Sequence, residues 1–160
     1  MGQQYAEAFG FEFRISRLYF CYGAGKLPST FIRLYRLAFG ALEGLDGLTM
    51  DKGADQKLDF TYVEDAARGT VTLYQAKNLK HSIYIIATGV PNSVGRVVEL
   101  AQRYSPFAAT VELGPGKLME RCDALDISRA REELGFEPQY SLEEGIQRYA
   151  DWLKVMLKDI

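Results

Sequence analysis

Chemistry at neutral pH needs an acid, a base, a nucleophile or a metal-ligating cluster, and this chain is poor in all four. His81 is the only histidine, and Cys21 and Cys122 stand far apart with no C-x-x-C pair, so the spacing of a zinc site is absent. No G-x-S-x-G, no P-loop, and neither G-x-G-x-x-G nor G-x-x-G-x-x-G occurs, so neither a nucleophile elbow nor a phosphate-cradling turn can be read. No residue is therefore nominated as catalytic and none as a metal ligand. What remains are groups that bind. Phe20, Tyr22 and Tyr62 fall at strand ends, where aromatics can line a pocket and equally often fill a core. Asp59 carries a carboxylate suited to accepting backbone N–H groups at a strand–helix junction. The cysteines read as free buried thiols, and His81 as an exposed residue at a strand start.

These groups need elements to hold them, and the densest signals lie in residues 51–65. Asp51 to Asp55 is small and polar, with Gly53 supplying backbone freedom for a turn. Leu58, Phe60 and Tyr62 alternate with Asp59, Thr61 and Val63 as a strand. Thr61 and Glu64 have capping-box spacing, which predicts a helix from Val63 to Ala76 with Ala66, Ala67, Thr70, Val71 and Tyr74 on one face. Leu48 to Met50 is a short strand able to pair with the Leu58–Phe60 run across the turn.

On either side the chain alternates helix and strand. Met1 to Phe9 is a helix stopped at Gly10. Phe11 to Cys21 is a strand whose continuous second half predicts burial on both sides. A helix is expected from Thr30 to Leu42, a strand over Ser82 to Thr88 and a turn and cap at Pro91 to Ser93. Then come a helix from Val94 to Tyr104, a strand near Ala109 to Leu113, a helix from Ser128 to Leu134 capped by Ser128, and an amphipathic helix from Leu142 to about Leu157 opened by a Ser141–Glu144 capping box.

Bulk properties exclude some partners. A net charge of −2 with scattered basic residues gives no nucleic-acid-binding face. The apolar runs are too short to span a bilayer, and the first ten residues lack a basic segment followed by an apolar one, so neither a membrane span nor a signal peptide is expected. Two unpaired cysteines fit a reducing, cytoplasmic setting. One unit over residues 1–160 is the expected organisation.

Three stretches, in order, resemble the NAD-dependent epimerase/dehydratases, the extended short-chain dehydrogenase/reductase family of nucleotide-sugar enzymes. Residues 17–23, RLYFCYG, are similar to that family's R-x-x-N-x-Y-G. Residues 56–65, QKLDFTYVED, are similar to its Q-x-R-D-F-x-Y-V-x-D, and residues 126–138, DISRAREELGFEP, to its D-x-S-K-A-x-x-x-L-G-[YF]-x-P. The resemblance covers essentially the whole chain and implies an α/β fold: the C-terminal part of an extended short-chain dehydrogenase/reductase, with an incomplete parallel sheet and a small α/β substrate-binding region.

The resemblance also implies roles. The family's Gly-rich turn, its catalytic Ser/Thr and its Y-x-x-x-K pair have no counterpart here, so the chain alone is expected to be inactive and to bind no cofactor tightly, NAD or NADP belonging to a full-length parent. Tyr19 and Phe20 would approach the nicotinamide. Tyr22, Arg33, Tyr62 and Arg121 would face a nucleotide sugar or related small molecule, the arginines as anion contacts. Phe20 stands where the family has its Asn, and Leu58 where it has a phosphate-binding Arg. The competing expectation is a free-standing, non-catalytic ligand-binding or interaction module derived from the family. A sheet lacking its neighbour is expected to expose apolar surface near Leu18 to Cys21 and on the first helix, and so to form a homo-oligomer.

Overall fold

A computed structural model describes residues 1–25, 33–120 and 124–156. The chain opens with helix α1 (Gly2–Phe9), ended by Gly10 in the left-handed conformation at φ 70°. Strands β1 (Ile15–Leu18) and β2 (Cys21–Tyr22) follow, then helix α2 (Arg33–Phe39) and strands β3 (Leu48–Met50), β4 (Lys57–Asp59) and β5 (Thr61–Tyr62). Next come α3 (Val63–Gln75), β6 (Ile83–Ile86), β7 (Pro91–Ser93), α4 (Val94–Tyr104), β8 (Val111–Leu113), α5 (Ser128–Leu134) and α6 (Leu142–Met156). Pairing is parallel for β1–β6, β2–β5 and β3–β8, and antiparallel for β4–β7. Helices pack on these pairs around one large core, with a smaller cluster of Leu73, Tyr84, Ile86, Ala130 and Phe136 under α3 and α5. The α/β class is as the sequence implies.

Several local expectations are corrected. The strand of Phe11 to Cys21 is two short pieces, broken where Phe20 turns left-handed at φ 36°. Its second half is not buried on both sides: Arg17 and Leu18 are exposed, because β1 has β6 on one edge and no partner on the other among the described residues. Residues 48–50 do not pair with Leu58 to Phe60. They lie parallel to β8, while β4 takes β7, so Pro91 to Ser93 is an edge strand as well as a cap. The cap itself holds, with Ser93 Oγ accepting from Arg96 N.

Helix α3 starts at Val63 as expected but without the capping box, since Thr61 is buried in β5 and its hydroxyl has no partner. Its buried face is Asp65, Ala66, Gly69 and Leu73, and Val71 and Tyr74 point outward. The reason is that the strands beneath α3 reach it from the Asp65 side. Helix α5 is opened by Asp126, whose carboxylate accepts from Ser128 N and Oγ, rather than by Ser128. The Ser141–Glu144 box at α6 is present in both directions, Ser141 N to Glu144 Oε2 at 2.9 Å and Glu144 N to Ser141 Oγ at 3.3 Å. The first residues of the helix expected from Thr30 lie outside the described residues.

Candidate functional site

Three buried polar side chains from residues 51–65 hold three different loops. Gln56 Oε1 accepts from Leu118 N and Met119 N at 3.0 and 2.8 Å. Asp59 is fully buried and accepts from Thr88 N and Oγ1 and from Gly89 N, which pins the turn after β6. Asp65, equally buried, accepts from Gln139 N and Tyr140 N and pairs with Arg68 at 2.6 Å, which pins the entry to α6. A carboxylate satisfied by backbone N–H groups is a structural staple, and removing it leaves buried donors unpaired at about 1–3 kcal/mol each. Asp59 thus accepts backbone bonds as expected, but from the loop after β6 instead of the strand–helix junction.

The loop held by Gln56 forms one wall of a cleft of about 910 Å³. Its lining is Arg33 and Leu34 from α2, Thr49 and Met50 from β3, Asp51 and Lys52 beyond it, and Leu118 and Met119. The cleft therefore lies beyond the carboxyl ends of the parallel pair β3–β8, where α/β folds take their ligands. Local sequence builds this wall closely. Gly114 N donates to Met50 O at 2.8 Å, and a side chain at Gly114 would collide with Asp51 O. Leu34 and Met50 give an apolar floor, and Leu118 and Met119 an apolar wall. Arg33 and Lys52 stand against the single carboxylate of Asp51, and neither cation is ion-paired among the described residues. An anion with a flat apolar part fits this combination. A second depression of about 550 Å³ is lined by Arg96 and Arg131. Those cations are already neutralised, by Glu99, Glu143 and Glu137.

The residues singled out in the sequence fall in different places. Arg33 lines the cleft. Arg121 lies outside the described residues. Tyr22 is 1% exposed, stacked on Phe39 at 4.9 Å, and its hydroxyl donates to Leu142 O. Burial, then the neighbouring Tyr62 and Asp65, push that hydroxyl far above the ordinary tyrosine range. Tyr62 packs edge-on against Tyr140 and borders a shallow groove with Glu64, Arg148 and Trp152. Phe20 packs on Phe60 and Tyr35, with Tyr19 half-buried beside it. Leu58 is 1% exposed in the same core.

Sequence reasoning gave no role to Lys52, Gln56 or Asp65. Two of them carried a signal: Gln56 shares the two-residue period of Leu58, Phe60 and Tyr62, and Asp65 shares the inner stripe of α3 with Ala66, Gly69 and Leu73. His81 is exposed as expected, but its ring meets Glu133, which also accepts from Tyr84 and Lys80 N.

Parallel strands joined by helices, with a cleft beyond the carboxyl ends of β3 and β8, make this an α/β fold. The sequence profile of the NAD dependent epimerase/dehydratase family matches residues 1–87, and the chain belongs to that family. It is 30% identical over 152 residues to the UDP-glucuronate 4-epimerase of Thermodesulfobacterium geofontis, which covers 94% of this chain and 46% of that protein. It is 30% identical over 142 residues to the dTDP-glucose 4,6-dehydratase of Escherichia coli, covering 82% and 38%. The crystal structure of the Bacillus cereus UDP-glucuronic acid 4-epimerase, in complex with UDP-glucuronic acid and NAD, superposes with a TM-score of 0.75 at 27% identity, over 96% of this chain and 49% of that one. The chain spans about half the length of the curated relatives it matches. No helix among the described residues is long and apolar enough to cross a membrane.

Residues 1–160 carry neither G-x-G-x-x-G nor G-x-x-G-x-x-G spacing, and the Phe20 ring packs on Tyr35 and Phe60.

Proposed function

We propose that this chain is the substrate-binding, C-terminal portion of an NAD(P)-dependent enzyme acting on nucleotide sugars, with residues 1–160 forming that portion and the cofactor held by the rest of the fold. The observation that carries the reading is the cleft beyond β3 and β8, where two cations, Arg33 and Lys52, without an ion-pair partner among the described residues, face an apolar floor. A diphosphate can take the cations while a base lies on Met50 and Met119. Tyr22 and Tyr62 act behind this surface, through the packing of β2 and β5, and Tyr19 and Phe20 stand just past β1 on the side where a cofactor half would adjoin. Arg121, two residues beyond Met119 in sequence, is a further anion contact in this reading. The positions where the resemblance implies Asn and Arg are Phe20 and Leu58, both in the core, so charge for the phosphates comes from Arg33 and Lys52. The chain alone performs no hydride transfer.

Calorimetric titration with UDP, UDP-glucose and UDP-glucuronate tests this. Binding is expected, and Arg33→Ala and Lys52→Ala are each expected to weaken it about tenfold, the worth of one charge-assisted hydrogen bond. Absence of binding by all three nucleotides sinks the reading.

A second reading, a free-standing ligand-binding or interaction module, is favoured by one unfinished face: no residue of α1 is buried, and β1 pairs on one edge only among the described residues. Such a face is covered by self-association in that case. Hydride transfer restored by adding the cofactor-binding half of a relative would decide for the first reading against this one.

A further inference from the structure

Past Gly116 the wall of the cleft hangs on one side chain. Residues 114–116 are laid against residues 50–55 by backbone bonds of 2.8–3.2 Å, from Gly114 to Met50, from Ala54 to Gly114, and from Gly53 and Asp55 to Gly116. For residues 117–120 the hydrogen bonds among the described residues are two, from Leu118 N and Met119 N, and both end on Gln56 Oε1. That carboxamide is buried and held at its other atom as well. Gln56 is 1% exposed, its Nε2 donates to Lys57 O at 3.1 Å, and its backbone O accepts from Val94 N at 2.8 Å.

We propose that Gln56 is the positioning residue of the cleft: its single oxygen fixes Leu118 and Met119 over the apolar floor, so that the cleft is formed before a ligand arrives. Gln56 touches no ligand itself. A wall held in advance does not have to be ordered on binding, and the affinity is higher by the entropy saved. This inference rests on the reading of the cleft as a ligand site. Its first readout is independent of any ligand.

The test is amide hydrogen exchange on the 160-residue chain, with and without UDP-glucose as probe. In Gln56→Met, which keeps the length and loses the acceptor, exchange at Leu118 and Met119 is expected to accelerate by about tenfold or more while the amides of α3, α4 and α6 keep their protection. Gln56→Glu retains an acceptor and is expected to keep both amides protected. Should Gln56→Met fail to fold, Met119→Pro removes one of the two donors at an exposed position and is expected to accelerate exchange at Leu118. The dissociation constant for UDP-glucose is expected to rise about tenfold in Gln56→Met and to recover in Gln56→Glu. Unchanged protection of Leu118 in both Gln56→Met and Met119→Pro overturns the proposal, and so does faster exchange with UDP-glucose affinity unaltered. If exchange behaves as expected but the wild-type chain binds no UDP-glucose, the fastening is upheld and the nucleotide-sugar reading is what fails.

Discussion

Phe20 holds its backbone at φ 36°, a left-handed conformation that asparagine tolerates and a bulky aromatic rarely adopts. Such strain costs on the order of 1–3 kcal/mol and persists only where the surroundings enforce it. Here the ring packs edge-on against Phe60 at 5.0 Å and stacks on Tyr35 at 6.3 Å, contacts that offset the strain. With Leu58 also in the core, two positions that the family resemblance assigns to polar ligand contacts are packing residues in this chain. Glu133 is a carboxylate whose charge is linked to folding. Hydrogen bonds from Tyr84, Lys80 N and His81 draw its carboxyl down from 4.5 to about 2. The folded state therefore binds this proton less readily than the unfolded chain. The stabilisation is complete above about pH 4.5 and is lost as pH falls toward 2. Thermal unfolding measured from pH 7 to pH 2 should show a steeper acid loss for the wild type than for Glu133→Gln, the two converging at the acid end. Parallel curves would mean that the unfolded chain already has the low value.

At the scale of elements, helix α6 depends on a glycine. Gly145 faces Tyr22, whose hydroxyl donates to Leu142 O, and a Cβ there would collide with that hydroxyl and press on the Tyr62 ring. Alanine gains about 1 kcal/mol of helix propensity, but overpacking a filled core costs about 1–3 kcal/mol. Tyr22 is wedged against Phe39 and cannot retreat. Gly145→Ala is expected to lose about 1 kcal/mol net, read from the midpoint of urea unfolding. A gain would show that the Tyr22 ring can shift. The same helix shows when capping spacing is informative. Ser141 and Glu144 form their box because Ser141 is exposed before a free helix end. Thr61 and Glu64 have the same spacing, but Thr61 is buried in β5 against β2, where sheet pairing sets its orientation.

At the scale of the whole molecule, one face is unfinished. Tyr5, Phe9, Phe11 and Leu18 are 49–73% exposed along α1, the turn after it and β1, and a parallel pair such as β1–β6 is ordinarily covered on all sides. A face of this kind drives association. Sedimentation velocity should show dimers or larger species, and Tyr5→Ser with Phe9→Ser, both on a helix with no buried residue, should reduce them without lowering the unfolding midpoint. A monodisperse wild-type monomer that binds no hydrophobic dye would contradict this.

Local patterns were sufficient wherever the chain decides its own conformation. The helix ending at Gly10, the capping box of α6 and the end of α5 at Leu134 were all legible, because each depends on residues within one or two turns. The family motifs were legible for the same reason, as short strings. Partner choice was not. That Leu48 to Met50 lies beside Val111 to Leu113, that β4 takes Pro91 to Ser93, and that Asp65 turns α3 inward follow from which strands and loops compete for the same edge and the same buried space. The cleft belongs to this second group. Its cations come from residues 33 and 52 and its wall from residues 118 and 119, and only packing brings those segments together, with the Gln56 oxygen holding the last of them in place.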